Sequence, residues 1–492
     1  MKQNLTVFLL FLFINVSGQT ELKEEVKSKN NALKMAVSKL AADPAIQNGS
    51  FGFYAVKVEN MEVLAFHNPN QSLIPASTMK AVTTATALMA FGSGHKFKTF
   101  IEYDGTISPD SILNGNLFIT GGGDPSLGSG FFYDGDARYE FLNHWYDAVK
   151  KAGIKKVNGA VIADSRIFSG EMVPEGWTWG DMGNYYGAGA SGLSIFDNLY
   201  EIEFSTGKVG EKAKVKNIKP AIPYLELINE VKSSNTTGDN SCIYGGPNTS
   251  QRIIRGHIPS GRSSFIVKGS IPDPPLLAAI TFSEFLTAKG IQIIEKPKSV
   301  SENEKFTAKK RRLLEYSSPG LDSIVYWVNM KSLNPWAETL TNHIGLANTG
   351  TGDTPSGSKA VINYWKAQGL DTKGMFILDG SGLSRSNGIT ARQITEIMAR
   401  MAGSGEFNAF YNSLPIAGRT GSISGSCRGT AAENNLRAKS GYLNRVRSYT
   451  GYVQNKKGEL VAFAMIINNY TCTAAEGKSK LEKLMVALAE SE

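Results

Sequence analysis

The chain has 492 residues, of which 41% are hydrophobic and 20% are charged, and its net charge is +8. This is the composition of an ordinary globular protein, long enough for roughly two to four domains, and its 51 glycines indicate many turns and much β structure. The positive charge suits work beside an anionic polymer. Nucleic acid is the alternative, but the basic residues are scattered and no nucleic-acid-binding motif is present, so no nucleic-acid partner is predicted; a peripheral membrane contact stays open.

The first eighteen residues have the pattern of a secretory signal peptide. The basic start Met1-Lys2 precedes the apolar run Leu5 to Val16, and Ser17-Gly18 then come before Gln19. We predict cleavage before Gln19 and export of the mature chain. The first cysteine, Cys242, is too far away for a lipid anchor, and no later segment reaches the ~18 apolar residues of a spanning helix.

Residue patterns at the two chain ends predict helices and an antiparallel sheet. In chain order these are a helix over 21–42, a hairpin of Phe51–Lys57 and Glu62–Asn68, a helix over Ser77–Phe91, strands over Leu436–Tyr442, Arg447–Gln454 and Leu460–Asn468, and a helix over Lys478–Glu490. They fit one α/β (α+β) domain in which helices flank a sheet built from both ends of the chain.

The middle of the chain, from about 93 to 304, has short strand-like runs, glycine and proline turns and few long helices. We interpret it as one or two β-rich insertions into the terminal domain. Ile271–Pro275 and Ser299–Arg312 have the composition of boundaries between such units.

The spacing of the cysteines and histidines bears on disulfide pairing and on metal binding. Cys427 and Cys472 could pair and leave Cys242 free, or all three could be reduced. The five histidines stand far apart without metal-ligand spacing, so no metal site is predicted. The G-x-S-x-G elbow of many serine hydrolases is absent as well.

Four serines stand three residues before a lysine: Ser77, Ser93, Ser205 and Ser356. Ser93 follows a helix-ending glycine, Ser205 lies in a glycine turn, and Ser356 follows a Gly/Thr-rich loop where helix capping is the expected role. Ser77 alone opens a long apolar helix. Residues three apart share a helix face, so Lys80 can reach the Ser77 hydroxyl and serve as the base that a nucleophilic serine needs.

Two more short motifs follow. Ser332-Leu-Asn334 matches S-x-N in a loop between two predicted helices, with helix capping as the alternative. Lys439-Ser-Gly441 is the single K-[ST]-G motif and lies in a predicted strand, with an edge lysine beside a bulge glycine as the alternative. The order and placement of the three motifs are typical of penicillin-recognising serine enzymes.

On these motifs the sequence resembles the class C low-molecular-mass penicillin-binding proteins, the D-alanyl-D-alanine carboxypeptidase/endopeptidases. Longer stretches also match that family: Gly121–Leu127 (GGGDPSL), Asp379–Arg385 (DGSGLSR), and Leu414–Gly418 followed by Thr420-Gly421. The long interval between Ser77 and Ser332 is similar to the family's, which carries two extra domains there.

The resemblance implies a penicillin-recognising serine transpeptidase/β-lactamase-like domain, an antiparallel sheet flanked by helices, with two inserted β-rich domains. With the signal peptide at 1–18, it assigns 19–92 and 305–492 to the catalytic domain. It assigns 93–190 and 275–304 to inserted domain II, and 191–274 to inserted domain III. It further implies a periplasmic DD-peptidase without cofactor that hydrolyses peptidoglycan stem peptides and cross-links and is acylated by penicillins.

The same resemblance implies roles for the motif residues. Ser77 attacks the substrate carbonyl and Lys80 accepts its proton. Ser332 relays a proton to the leaving amine, Asn334 holds the substrate amide and contacts Lys80, and Lys439 keeps the site electropositive.

It also implies substrate-binding residues around the last motif. Ser440, where the family commonly has threonine, keeps the hydroxyl that, together with Lys439, binds the carboxylate beside the scissile bond. Gly441 is followed by Tyr442, whose backbone N–H joins that of Ser77 in the oxyanion hole.

A subsite for the side-chain end of diaminopimelate is implied as well. Its residues are Asp164 for the amine, Arg385 for the carboxylate, and Asn444. A turn cap is the alternative for Asp164, and a loop anchor is the alternative for Arg385.

Two other functions stay open. A β-lactamase would need a deacylating base, which the sequence does not identify. A non-enzymatic peptidoglycan-binding module would be expected to have lost part of the motif set, yet every motif residue is present.

Overall fold

The computed structural model describes residues 31–300, 304 and 309–492; the predicted signal peptide and the first part of the predicted helix over 21–42 lie outside them. The strands, in chain order, are β1 (Ser50–Lys57), β2 (Val63–His67), β3 (Ser72–Leu73), β4 (Lys98–Tyr103), β5 (Thr106–Ile107), β6 (Ile112–Asn114), β7 (Leu117–Thr120), β8 (Lys156–Val157), β9 (Val161–Asp164), β10 (Leu199–Ser205), β11 (Lys214–Lys219), β12 (Glu226–Ser234), β13 (Asn240–Tyr244), β14 (Gln251–Pro259), β15 (Phe265–Ser270), β16 (Gln292–Ile293), β17 (Lys298–Ser299), β18 (Arg311–Ser317), β19 (Ile389–Thr390), β20 (Arg437–Leu443), β21 (Val446–Gln454) and β22 (Leu460–Asn468).

The helices, in chain order, are α1 (Asn31–Ala41), α2 (Met79–Phe91), α3 (Glu140–Lys151), α4 (Trp179–Met182), α5 (Pro274–Ala288), α6 (Leu321–Lys331), α7 (Asn334–Thr349), α8 (Thr354–Ala367), α9 (Ala391–Ala402), α10 (Phe407–Ser413) and α11 (Ala474–Ala489). Short 3₁₀ turns cover Ala76–Thr78, Gly135–Tyr139, Tyr185–Gly187, Phe196–Asn198 and Gly421–Ile423. In the described parts of the chain, none of the helices is both long and apolar enough to cross a membrane.

The two chain ends share one antiparallel sheet, in the order β2-β1-β22-β21-β20. Successive side chains of a strand point to opposite faces. Phe51 and Phe53 of β1 therefore pack in the core with α1 and α11, whereas Tyr54 and Val56 pack in the core that contains α2 and α9. The predicted hairpin and the predicted C-terminal strands are confirmed.

The C-terminal helix begins earlier than predicted. It starts at Ala474 rather than Lys478, because Thr473 and Glu476 form a reciprocal capping box at its first turn.

The middle of the chain forms separate sheets, in the orders β17-β9-β7-β4-β18, β16-β8-β6-β5, β11-β10-β15 and β12-β14-β13. One hydrophobic core connects them, with α3 and α5 meeting through Trp145 and Phe282 at 5.3 Å between ring centroids. The predicted boundary at Ile271–Pro275 contains the start of α5, where Asp273 accepts the Leu276 N–H at 2.8 Å and caps the helix.

Strand β18 bears on one boundary of the predicted domain division. Strand β18 pairs with β4, from Arg311 opposite Tyr103 to Ser317 opposite Lys98. The prediction placed these residues in the catalytic domain from 305 onward. We therefore propose that the chain returns to the catalytic domain after Ser317.

The GGGDPSL stretch packs against α7. The His343 ring is buried, contacts the Gly123 carbonyl oxygen through Nε2 at 3.0 Å, and stacks on Phe97 at 4.2 Å. Gly123 has φ +69°, and a Cβ atom there would overlap the His343 ring. Burial lowers the pKa of His343 from 6.5 to about 4, so the ring is neutral at pH 7.

All three cysteines, Cys242, Cys427 and Cys472, are free thiols in the structure. The pairing of Cys427 with Cys472 that the sequence left open is therefore not formed.

Candidate active site

Ser77 lies on the Ala76–Thr78 turn that leads directly into α2. Ala76 has φ +48°, a left-handed conformation that is uncommon and costly for a residue with a side chain. The Pro75 carbonyl accepts hydrogen bonds from Thr78 Oγ1 at 2.7 Å and from Ser448 of β21. The predicted helix start is confirmed, and a strained, well-anchored turn carries the Ser77 hydroxyl.

Lys80 follows one helical turn later and is completely buried. Its amine donates to Ser77 Oγ at 3.1 Å, to Asn334 Oδ1 at 2.6 Å and to the Ser381 carbonyl at 2.7 Å. Burial lowers the pKa of Lys80 from 10.5 to about 7, against the opposing effect of two buried carboxylates. An amine with this pKa is free base in roughly half of the molecules at neutral pH and can accept a proton there.

Lys439 of β20 faces Ser332 across the site. Its amine donates to Ser332 Oγ at 3.0 Å and to the Ser440 carbonyl at 2.8 Å. Ser332 ends α6 in the left-handed conformation, with φ 59°. Burial, and then the charge of Lys80, hold the pKa of Lys439 well below 10.5. The structure thus brings the side chains of all three short motifs together.

Strand β20 approaches the nucleophile turn through Gly441. A Cβ atom on Gly441 would lie 2.6 Å from the Pro75 carbonyl oxygen and 3.0 Å from the Ser77 backbone nitrogen. Only glycine permits this approach, which brings the strand against the backbone of Ser77.

The residues beside Gly441 form the open edge of the site. Ser440 Oγ donates to Ser422 Oγ at 2.6 Å. Tyr442 is 52% exposed, and the Arg447 guanidinium lies 4.5 Å from its ring centroid. A hydroxyl pair and a cation–aromatic pair therefore flank the strand.

The inserted region reaches the site through Tyr186. The Asn334 amide donates to the Tyr186 carbonyl at 2.6 Å, while its oxygen accepts from Lys80. Nearby in the chain, Trp179 is 59% exposed and Tyr185 is 51% exposed. Burial, and then the negative charge of Asp181, raise the pKa of Tyr186. The sequence prediction did not include this segment; its run of aromatic residues on a loop was the available signal.

Two buried carboxylates behind Lys80 were also missed. Glu338, four residues after Asn334 on α7, accepts the N–H groups of Gly380 at 3.0 Å and Ser381 at 2.8 Å. Burial and the neighbouring Asp379 raise the pKa of Glu338. The Asp379 carboxylate accepts from a set of donors in its own loop and the inserted region: Gly382 N, Ser384 N, Asn387 Nδ2 and Trp177 Nε1. The sequence carried a signal for each residue: Glu338 lies one helical turn after Asn334, and Asp379 begins the DGSGLSR stretch.

Of the three residues predicted for the diaminopimelate subsite, two contact each other and the third is paired with other residues. Arg385 and Asn444 are exposed and meet, with Arg385 Nη1 donating to the Asn444 carbonyl at 3.4 Å. Asp164 is buried and already paired, with Arg166 at 2.7 Å and Lys310 at 2.8 Å. Burial opposes ionisation, but these two cations hold the pKa of Asp164 well below its usual range.

Comparison with known proteins gives one consistent result. Residues 33–491 match the family described as the D-Ala-D-Ala carboxypeptidase 3 (S13) family. The chain is 27% identical to the D-alanyl-D-alanine carboxypeptidase of Actinomadura sp. (strain R39), over 92% of this chain and 82% of the relative. It is 26% identical to the D-alanyl-D-alanine carboxypeptidase DacB of Haemophilus influenzae, over 89% of each chain.

The fold also has a solved counterpart. The crystal structure of penicillin binding protein 4 (dacB) from Haemophilus influenzae superposes with a TM-score of 0.77 at 24% identity, over 92% of this chain and 98% of that one. At this identity the likeness concerns the fold, and it confirms the predicted penicillin-recognising fold class.

Proposed function

Since the chain belongs to the D-Ala-D-Ala carboxypeptidase 3 (S13) family, we propose that it is a serine-type D-alanyl-D-alanine carboxypeptidase/endopeptidase acting on peptidoglycan stem peptides and cross-links. The observation that carries the proposal is the buried Lys80 amine, in contact with both Ser77 Oγ and Asn334 Oδ1. At pH 7 an ordinary lysine is deprotonated in only about one molecule in 3,000, whereas an amine with a pKa near 7 is deprotonated in about half.

The reaction then follows from the positions of these groups. Ser77 Oγ attacks the carbonyl carbon of the penultimate D-alanine while Lys80 takes its proton, and the backbone N–H groups of Ser77 and Tyr442 stabilise the oxyanion. Collapse breaks the C–N bond, and the leaving amine receives a proton through Ser332, beside Lys439. Water then attacks the acyl-serine ester, releasing the shortened peptide and returning the proton to Ser77.

We assign the free carboxylate of the substrate to the β20 edge. Lys439 is buried beneath the strand and donates to Ser332 and to the Ser440 carbonyl; burial lowers its pKa, and a bound carboxylate would favour its charged form. The Ser440 hydroxyl, paired with Ser422, lies on the accessible side and offers the direct hydrogen bond. Such a site fits a carboxypeptidase and an endopeptidase alike, because both leaving groups carry a free carboxylate one residue past the scissile bond.

Covalent labelling with a fluorescent penicillin tests the assignment. We expect label on wild type and none on Ser77→Ala, because a penicillin acylates the same oxygen as the substrate. Ser93→Ala, Ser205→Ala and Ser356→Ala are matched controls that should label like wild type. Label that persists on Ser77→Ala would contradict the assignment, and rapid loss of the adduct would favour the β-lactamase alternative.

For the side-chain subsite we propose Arg385 and Asn444 as the part that reads a carboxylate, since both are exposed and adjacent. The acid is Asp164 or Asp181. Asp164 would have to share its charge with Arg166 and Lys310, whereas Asp181 acts on Tyr186, which contacts Asn334. Asp164→Asn and Asp181→Asn can be compared on stem peptides with a free or an acetylated side-chain amine. A variant that keeps wild-type discrimination between the two peptides excludes that residue.

We also propose that the protein is exported to the periplasm, which the pattern of residues 1–18 supports. N-terminal sequencing of the protein from a periplasmic extract should begin at Gln19. An intact Met1 chain confined to the cytoplasm would contradict the proposal.

A further inference from the structure

The turn Asp379–Gly382 is clamped between the two helices that carry the site. Its Gly380 and Ser381 N–H groups bind Glu338 of α7, and the Gly380 carbonyl accepts from Thr83 of α2 at 2.7 Å. A Cβ atom on Gly380 would overlap the Thr341 hydroxyl, so the turn lies directly on α7. The Ser381 carbonyl, oriented by these contacts, is the one that accepts from Lys80.

The same groups determine the charge around Lys80. Among the described residues, the ionisable groups that face it are Asp379 from the turn, Glu338 from α7 and Lys439 from β20. Each is completely buried, so water does not screen them. Asp379 and Glu338 raise the pKa of Lys80 against the larger effect of burial.

Each oxygen of Glu338 accepts a backbone N–H group, and these two hydrogen bonds favour the ionised carboxylate, against the burial and the neighbouring Asp379 that raise its pKa. We propose that Glu338 is a positioning residue of the acylation step. It holds the Ser381 carbonyl against the Lys80 amine and supplies negative charge that offsets the burial of that amine. The inference rests on the proposed function, because it concerns how the Ser77 base is tuned.

Glu338→Gln keeps the shape but removes the charge and one acceptor. We expect the limiting acylation rate by penicillin to fall at least about tenfold, with little change in the preceding non-covalent affinity. The acid limb of the pH–rate profile, where protonation of Lys80 lowers the acylation rate, should have its midpoint at a lower pH than in wild type. The reason is that loss of the Glu338 anion makes the protonated Lys80 amine less stable. Stopped-flow acylation from pH 5 to 9 measures rate, affinity and midpoint together.

Two further variants separate positioning from charge and from general destabilisation. Thr83→Val removes the hydrogen bond to Gly380 without changing any charge, so the rate should fall while the acid limb stays in place. Trp365→Phe deletes a buried hydrogen bond to Thr86 of α2, 2.8 Å long and away from Lys80, and should leave both rate and midpoint as in wild type.

The inference is overturned if Glu338→Gln keeps the wild-type midpoint of the pH–rate profile, or if its limiting acylation rate equals that of wild type. If Glu338→Gln does not fold, a wild-type rate in Thr83→Val overturns it instead. A wild-type protein that is never acylated at Ser77 refutes the proposed function rather than the role of Glu338.

Discussion

The approach of β20 to the nucleophile makes a quantitative prediction for Gly441→Ala. The added methyl carbon would lie 2.6 Å from the Pro75 carbonyl oxygen and 3.0 Å from the Ser77 nitrogen, and it would also overlap the Ser448 hydroxyl. Ordinary contact begins near 3.4 Å, so the strand and the turn must separate by about 0.8 Å. That separation pulls the Tyr442 N–H away from the proposed oxyanion position.

Loss of one oxyanion donor costs about 100- to 1,000-fold in rate, and a displacement near 1 Å has a similar effect. We therefore expect the second-order acylation constant of Gly441→Ala to fall by about 100- to 1,000-fold. Overpacking should lower the free energy of unfolding by ~1–3 kcal/mol, so the variant still folds. Acylation kinetics and urea unfolding measure the two effects independently.

Gly52→Ala is the matched control in the same sheet. Its Cβ would lie 2.9 Å from Leu73 Cδ1, the end of a flexible side chain, and far from Ser77 in the sheet order. We expect a small loss of stability and acylation within about twofold of wild type. If Gly441→Ala is acylated as fast as Gly52→Ala, the close approach of β20 does not form the oxyanion hole.

Three more predictions follow from the charged and buried groups. The acylation rate should rise about tenfold from pH 6 to pH 8 with a midpoint near 7, because only the free Lys80 amine accepts the proton; a rate independent of pH in this range would contradict it. Amidating the terminal D-alanine should lower kcat/KM ~10- to 100-fold in wild type but add little in Lys439→Ala, and simple additivity would mean that Lys439 does not act on the carboxylate. As the pH falls, His343 should be protonated in the unfolded chain before it is protonated in the folded chain, so the free energy of unfolding should fall by up to ~3 kcal/mol from pH 6.5 to 4. His343→Gln should reduce this pH dependence, and an unchanged pH dependence would exclude His343 as its source.

Much of the fold and of the candidate site could be predicted because its signals are local. The spacing of Ser77 and Lys80 depends on a single helical turn, and central strands of the terminal sheet are nearly continuous buried runs, as a sheet covered on both faces requires. The long apolar helix that Ser77 opens selected one S-x-x-K match among four, and the structure brings the side chains of the three motifs together.

The missed features depend on contacts between distant segments. Glu338 binds a turn more than forty residues away, and Asn334 meets the Tyr186 carbonyl, which any residue type would provide. We propose a boundary after Ser317 rather than at 305 because β18 pairs with β4, about two hundred residues earlier, and the sequence alone does not show this pairing. Asp164 has a suitable charge and Arg166 lies only two residues away in the sequence, but the second cation, Lys310, is brought to it only by folding.

The pairing of β1 with β22, where Ser50 lies opposite Asn468, has a consequence for how the protein is made. Domains of a growing chain fold as they emerge, N-terminal parts first, and contacts between distant segments form late. Ser77 and Lys80 are therefore synthesised early, but the central sheet beneath them stays incomplete until β20, β21 and β22 arrive at the end of the chain. A chain interrupted before β20 carries its nucleophile without Lys439 and Gly441. We therefore expect a chain that ends before β20 to resist penicillin acylation, whereas a chain extended through β22 should be labelled.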